Sequence, residues 1–314
     1  MPVRRVVIFF NPISGTGRGE SLARAIAAAL AARGHDVATV ATLRAAPREW
    51  MPPALAGRDA AVVVGGDGAM RLAAEPAAEA GVPLYHCPAG TENLVARYLG
   101  STNDPAGVVA AIERLTVRAI DLGLASLGGE RDVPFLLMAS AGFDAHVIHT
   151  LAAGRRGAIT HLSYVGPIGR AILAWRPARA VVAVDGGAPQ DLGTGVVVVA
   201  NLPAYAFRID PGRGALPDDG LLDLAFLPCR GGLGAAWWAV THKLRAGEVP
   251  GVVRLRGQRI DLRFDRPVDW QIDGDAAGSG HGPTDRAVLS LRPRAVPVVV
   301  PVTAGAIAGG PASR

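Results

Sequence analysis

Three short stretches of the sequence set glycines and polar side chains directly behind an apolar run. The first is Asn11-Pro12-Ile13-Ser14-Gly15-Thr16-Gly17-Arg18-Gly19, the second Gly65-Gly66-Asp67-Gly68, and the third Pro88-Ala89-Gly90-Thr91-Glu92-Asn93. Glycine lets main-chain N–H groups approach an anion closely, and a helix starting just after the loop adds a favourable dipole. The chemistry these stretches suit is phosphate binding. None continues into GK[ST], and none has GxGxxG at the first strand turn, so neither a Walker loop nor a Rossmann dinucleotide site is expected. Asp67 is the odd member: a carboxylate among phosphates repels them unless a divalent cation intervenes. Magnesium commonly uses one or two carboxylates together with phosphate oxygens and keeps several waters, so Asp67 is a candidate ligand, directly or through water. The plainer alternative is a cap for the helix that begins near Ala69.

These loops need elements to hold them. Up to about residue 120 the pattern alternates. RVVIFF (5–10), DVATVAT (36–42), DAAVVVGG (59–66) and VPLYHCPAG (82–90) read as strands. SLARAIAAALAARG, 70–81, 93–100 and 105–115 have helical spacing, with Gly34 stopping the first and Pro76 kinking or dividing the second. Alternation of this kind predicts an α/β unit with a parallel sheet and helices on both faces. After Val117 strand-like runs dominate, at 117–122, 133–140, 179–185, 193–200, 221–227, 252–256, 259–264, 267–272 and 287–291. Helical patches remain near 144–153, 161–175 and 233–246. The expected organisation is an N-terminal parallel-sheet nucleotide domain over 1–120, then a mostly antiparallel β-sandwich domain over 121–294. A last strand at 295–302 is free to rejoin the first domain, and 303–314 reads as a loose tail.

The chain has 314 residues, half of them apolar, which suits about two domains. The net charge of +5 fits an anionic partner. Aromatics are scarce and no dense basic run interleaves with them, so nucleic acid is not expected. Cys87 and Cys229 have no metal-ligand spacing, which points to a reduced, cytoplasmic setting. The N-terminus has too short an apolar core for a signal peptide, and no run of about 18 apolar residues offers a spanning helix.

Seven motifs, in order, resemble those of the diacylglycerol kinase and sphingosine kinase family of lipid kinases in its soluble bacterial form. They are NPISG (11–15), GGDG (65–68), PAGTENLVARYLG (88–100), IDLGLA (120–125), ASAGFDAHV (139–147), LPDDGLLDL (216–224) and QIDGD (271–275). The resemblance implies an α/β nucleotide domain, a β-sandwich lipid domain, and transfer of a phosphoryl group from ATP to a lipid hydroxyl of the diacylglycerol or sphingoid type. It implies Mg²⁺ as cofactor and a lipid substrate met at the membrane surface, with the protein cytoplasmic or peripheral to the inner membrane face. It leaves oligomeric state open, a homodimer included.

Carried over by position, Asn11, Pro12, Ser14, Gly15, Thr42, Gly65, Gly66, Asp67, Gly68, Ala69, Arg71 and Thr91 contact the nucleotide. Gly90 and Asn93 belong to the same third loop. Asp275 falls where the family has its general base, with Asp273 beside it. A structural magnesium falls on Asp219 and the carbonyls of Leu216 and Leu221. Read without the family, IDGD and PDDG are tight turns. Asp273 and Asp275 face one side if they lie on a strand and need not if they lie in a turn.

The sequence departs from the family pattern in three places. Ala69 stands where the GGDGT threonine would be, Leu72 stands near the place of a usual glutamate, and Asp275 replaces a longer acid. Those changes motivate a rival reading as a degenerate, non-catalytic nucleotide- or lipid-binding protein. NAD kinase, which also carries a GGDGT-type loop, is a second rival, and NPISG, GTEN and the late DGD count against it. Two further features are weighed. His146 and His149 share a helical face, but no third metal ligand is evident. LGAAWWAVTHKLRA (233–246) reads as a core helix, with an interfacial helix as the alternative.

Overall fold

The computed structural model describes residues 2–12, 18–43, 45–153, 169, 172, 174–203, 212, 214–244, 249–277 and 282–301, with backbone alone at 151–153, 242 and 243. The chain divides into two compact units, Met1–Leu122 with Pro293–Arg314, and Gly123–Arg292. Strands β5 and β15, defined below, each run across a unit boundary.

The first unit begins β1 (Arg5–Phe10), α1 (Arg18–Ala32), β2 (Asp36–Ala41), α2 (Pro47–Leu55), β3 (Ala60–Gly65), α3 (Asp67–Ala80) and β4 (Leu84–Pro88). Helices α4 (Leu94–Leu99) and α5 (Pro105–Arg114) follow. Strand β1 pairs in parallel with β2 and β3, and β3 with β4, so the sheet order is β2-β1-β3-β4. Every residue of β3 is buried, as its continuous apolar run requires of a central parallel strand. The core joins Val6 and Ile8 to Ala23, Ile26 and Leu30 of α1, and to Val108 and Ile112 of α5. Ile26 and Leu30 are fully buried, each contributing about 1.5–3 kcal/mol of transfer free energy.

Two local features differ from the sequence expectation. Helix α3 passes unbroken through Pro76 and stops at Gly81, which takes the left-handed conformation at φ 65°. Proline removes one i→i−4 bond, but the buried face of Met70, Ala73, Ala74 and Ala77 carries the helix through. Helix α2, with Pro52 and Pro53 inside it, has no helical signal in sequence.

The second unit contains most of its strands in antiparallel pairs. They are the end of β5 (Val117–Leu127), β6 (Val133–Phe135), β7 (Met138–Ala141), β8 (Arg179–Val184), β9 (Gln190–Ala200), β10 (Leu222–Pro228), β11 (Val253–Gly257), β12 (Arg259–Val268), β13 (Trp270–Ile272), β14 (Asp275–Ala276) and the start of β15 (Thr284–Val299). Helix α6 (Phe143–Ala153) follows β7, and α7 (Gly232–Leu244) follows β10. One sheet runs β15-β12-β8-β9 and the other β11-β10-β9-β7-β13-β14. Strand β9 serves both: Gln190–Thr194 pair with β8, and Gly195–Ala200 with β10. Gly193, at φ 81° beside a register shift, supplies the bend. The sandwich core contains Phe135, Val197, Val199, Leu224, Phe226, Leu262, Trp270 and Leu289. The expected strand at 133–140 is two short strands.

In the first unit, residue 298 at the end of β15 pairs in parallel with Leu84 of β4. The buried Asp121 accepts a 2.6 Å hydrogen bond from the Arg294 amide, which fixes β5 against β15. The aspartate of the IDLGLA motif is thus a structural clamp.

Helix α7 is not a core helix. Trp238 is half-buried and donates through Nε1 to the Pro228 carbonyl at 2.7 Å, whereas Trp237 is 65% exposed. The expectation failed because the interior takes Gly232, Ala235 and Thr241 on one face only.

Candidate functional site

In the first unit, parallel topology gathers the candidate nucleotide residues at one sheet edge. Asn11 and Pro12 follow β1, and Thr42 follows β2 with its amide donating to the Phe10 carbonyl at 2.8 Å. Gly65 ends β3, Gly66 to Gly68 lead into α3, and Gly90, Thr91 and Asn93 follow β4. In a parallel sheet all of these lie at the carboxyl ends of the strands, where ligands bind in open α/β folds. Ser14 and Gly15 lie outside the described residues.

The second and third loops are built into one another. A Cβ on Gly90 would lie 2.6 Å from the Gly66 Cα, and a Cβ on Gly65 would lie 2.6 Å from the Ala69 Cβ. Glycine is therefore required for the main chains to touch. The Ala89 amide donates to the Gly65 carbonyl at 2.9 Å. Asn93, at φ 51°, closes its own loop: its Oδ1 accepts from Gly90 N and its Nδ2 donates to Gly90 O, both at 2.8 Å. Asp67 reaches across, accepting from the amides of Leu94 and Val95 at 2.9 Å each. It caps α4, not the helix it begins. No side chain caps α3 itself, so that helix keeps an N-terminus suited to an anion. Thr91 is exposed, and Ala69 and Arg71 are half-buried in the first turns of α3.

Beneath this assembly His86 is fully buried, with Nε2 3.2 Å from the Gly65 carbonyl. Burial lowers its pKa, against the opposing pull of the Asp67 charge and the Gly65 carbonyl. Burial pushes the Cys87 thiol up to about 12 and the Cys229 thiol to about 11, so neither is a nucleophile at neutral pH.

In the second unit, IDGD forms a hairpin turn between β13 and β14. Asp273 and Gly274 both take positive φ, 49° and 85°. The turn separates the two acids. Asp273 points inward and accepts three main-chain hydrogen bonds, from Leu136 (2.8 Å), Leu137 (2.8 Å) and Met138 (2.9 Å). Those bonds satisfy the break between β6 and β7. Held by three amides and 9% exposed, Asp273 has a structural role in this turn. Asp275 is exposed.

A buried polar chain, absent from the sequence reading, fixes this hairpin. The Gly274 amide donates to Gln271 Oε1 at 2.7 Å, Gln271 Nε2 donates to Ser140 Oγ at 2.7 Å, and Ser140 Oγ donates to Asp144. Ser140 and Gln271 have no exposure. Their signal was present, since both fall inside motifs of the resemblance, but only the pairing of β7 with β13 brings them together. His146 Nδ1 lies 3.0 Å from Asp269 Oδ2 and His149 Nε2 lies 2.8 Å from the Trp270 carbonyl. The histidine pair thus orients α6 on β13 and is not arranged as a metal site. Ala141, Gly142, His146, Trp175, Phe264 and Val268 help line a cavity of about 230 Å³, with Arg176 and Arg266 also in its wall.

Among the described residues no group of three or more His, Cys, Asp or Glu side chains is placed to hold a metal ion. Asp67 fits a magnesium role: each of its oxygens accepts one amide and keeps a second acceptor site. Asp219 does not fit. One oxygen accepts from Leu221 N at 3.0 Å, and the other meets Arg256 Nη2 at 2.5 Å. Arg256 Nε also lies 2.7 Å from Asp223. Arg256 thus pairs with both Asp219 and Asp223 at the turn where a cation is expected beside Leu216, Asp219 and Leu221. Burial raises the pKa of Asp223 despite that partner.

Comparison with known proteins adds two family matches. Residues 5–125 match the diacylglycerol kinase catalytic domain, and residues 138–300 match the YegS C-terminal NAD kinase beta sandwich-like domain. A Pseudomonas fluorescens Pf-5 protein described as a probable lipid kinase, YegS-like, is 31% identical over 268 residues, covering 78% of this chain and 79% of its own. The crystal structure of a diacylglycerol kinase from Bacillus anthracis Sterne superposes with a TM-score of 0.69 at 18% identity, covering 97% of this chain and 99% of that one. An NAD kinase from Archaeoglobus fulgidus, solved with ATP, gives 0.52 at 15% identity over 96% of this chain and 95% of its own. At such identities the structural likenesses establish the fold alone. No helix among the described residues is long and apolar enough to cross a membrane.

Proposed function

The chain belongs to the YegS-like branch of the diacylglycerol kinase family of lipid kinases, and from that premise we propose that it transfers the γ-phosphoryl group of ATP to the hydroxyl of a lipid alcohol. The observation that carries the reading is the 272–275 hairpin. Asp273 is consumed by three amides, and Asp275 is presented outward on a turn that Gln271, Ser140 and Asp144 hold rigid. Of the pair, Asp275 is exposed and Asp273 is buried.

Phosphoryl transfer asks chiefly for positioning and charge neutralisation. In this reading the uncapped N-terminus of α3 and the amides of Gly66 to Gly68 bind the phosphates, with Thr91, Asn11 and Thr42 around them. Magnesium bound with ATP offsets charge on the phosphate oxygens, and Asp67 is the carboxylate the chain offers it. Asp275 accepts the proton of the attacking lipid hydroxyl. The cavity beside α6, apolar in much of its lining, is the candidate seat for part of the lipid. Ala69 removes one hydroxyl from the phosphate loop and keeps the Cβ against which Gly65 packs.

The test is transfer from radiolabelled ATP with Mg²⁺ present, offered a lipid extract and NAD in parallel. The expected result is labelled lipid and unlabelled NAD, with Asp275→Asn lowering the rate by about 10²–10⁴-fold at unchanged thermal stability. Label on NAD alone, or full activity of Asp275→Asn, overturns the assignment.

A further inference from the structure

Helix α7 carries an apolar stripe that the fold leaves uncovered. Leu233 is 74% exposed, Trp237 65%, Val240 48% and Leu244 78%. Their spacing of four, three and four residues sets them in one row down a single face. The opposite face, Gly232, Ala235, Trp238 and Thr241, is buried or half-buried. Two contacts fix that rotation. Trp238 Nε1 donates to Pro228 O, and a Cβ on Gly232 would meet the Ile172 carbonyl at 2.3 Å, so the helix start packs main chain to main chain. The helix is therefore held with Trp237 outward.

The charges around the stripe select its partner. From Arg230 to Ala246 the sequence contains Arg230, Lys243 and Arg245 and not one acidic residue. In sequence, bases flank the apolar row at both ends. A stripe of Leu, Trp and Val with flanking bases suits the boundary between anionic headgroups and acyl chains, where Trp prefers to sit and Lys and Arg reach the phosphates. The chain's net charge of +5 acts in the same direction.

We propose that the Leu233–Trp237–Val240–Leu244 face of α7 docks on an anionic lipid bilayer, lying in the plane of the interface. This surface rests on the lipid-kinase reading for its purpose, since it would bring the enzyme to a substrate that resides in the bilayer. Its physical basis is independent of catalysis.

The experiment is vesicle flotation without ATP, using vesicles of equimolar phosphatidylcholine and phosphatidylglycerol against pure phosphatidylcholine. Wild type is compared with the triple variant Leu233→Ser, Trp237→Ser, Leu244→Ser, and with Lys243→Gln. Leu233, Trp237 and Leu244 are exposed, so their substitution leaves the fold intact, and circular dichroism verifies this for every variant. Wild type floats with the anionic vesicles, salt weakens it, and the triple variant binds about tenfold more weakly or less. Lys243→Gln loses affinity for the anionic vesicles alone. Equal flotation of wild type and triple variant overturns the proposal. So does a triple variant that changes only from dimer to monomer, which assigns the face to a second copy. Phosphorylation of detergent-dispersed lipid is measured alongside. Flotation without any lipid phosphorylation ends the kinase reading and leaves the docking surface standing. Phosphorylation without stripe-dependent flotation does the reverse.

Discussion

GGDG at 65–68 and IDGD at 272–275 both place an acid beside glycine at the end of a strand, and in both an acid is held by amides from a distant segment. The two turns are nevertheless built for different ends. Asp67 takes two amides at the start of α4, stays half-buried, and keeps acceptor capacity at a sheet edge lined with glycine. Asp273 takes three amides across the β6–β7 break and is buried. In the first turn one carboxylate both builds the loop and remains open to a cation. In the second those duties are divided between neighbours, so that Asp275 is left outward. The number of main-chain donors on a carboxylate, together with its burial, separates an acid committed to the fold from one exposed at the surface.

The largest effect that can break this comparison is at Asp273. Asp273→Ala strands three buried N–H groups and is expected to cost about 3–5 kcal/mol in chemical denaturation. A loss under about 1 kcal/mol would show that the amides find other partners and that Asp273 is not the clamp. Asp67→Ala removes a cap from α4 and should cost less, about 1–2 kcal/mol, with the denaturation midpoint as readout. Unchanged stability would mean that Asp67 serves ligands only, and the likeness between the two turns would be superficial.

The smallest effect sharpens the difference through pH. Burial holds the folded-state pKa of His86 below its unfolded value, so the unfolded chain binds more protons as the pH falls. The stability contribution of neutral His86 is present above about pH 6.5 and is lost as the pH drops below it, by about 1.4 kcal/mol per unit of pH at most. His86→Leu should flatten thermal stability over that range whatever it does to absolute stability. Because the Asp67 charge raises the His86 pKa, Asp67→Asn should extend the fall to lower pH. A slope indifferent to both substitutions would detach His86 from the loop assembly.

Much of this was legible in advance, for specific physical reasons. Strands β1, β3 and β4 carry apolar runs long enough to mark buried parallel strands, and glycine in the loop after each points to the carboxyl edge. The alternation reporting an α/β unit is local and needs no tertiary information. The sequence was less informative where long-range pairing sets the outcome. Pro76 signalled a kink that the buried face of α3 overrode, and 233–246 read as core because apolar content alone does not say which side of a helix has a neighbour. The Asp219 turn read as a metal site only by resemblance, and its ion pair with Arg256, thirty-seven residues away, was not legible in the sequence.

What the sequence by itself determined was the order of motifs, the α/β-then-β division and the set of residues able to carry the chemistry, because periodicity, glycine placement and side-chain type are properties of neighbouring residues. Tertiary structure decided which acid is buried and which is exposed. Asp273 and Asp275 are two residues apart and chemically identical, and only the left-handed turn between β13 and β14, with amides from more than a hundred residues upstream, turns one inward and the other out.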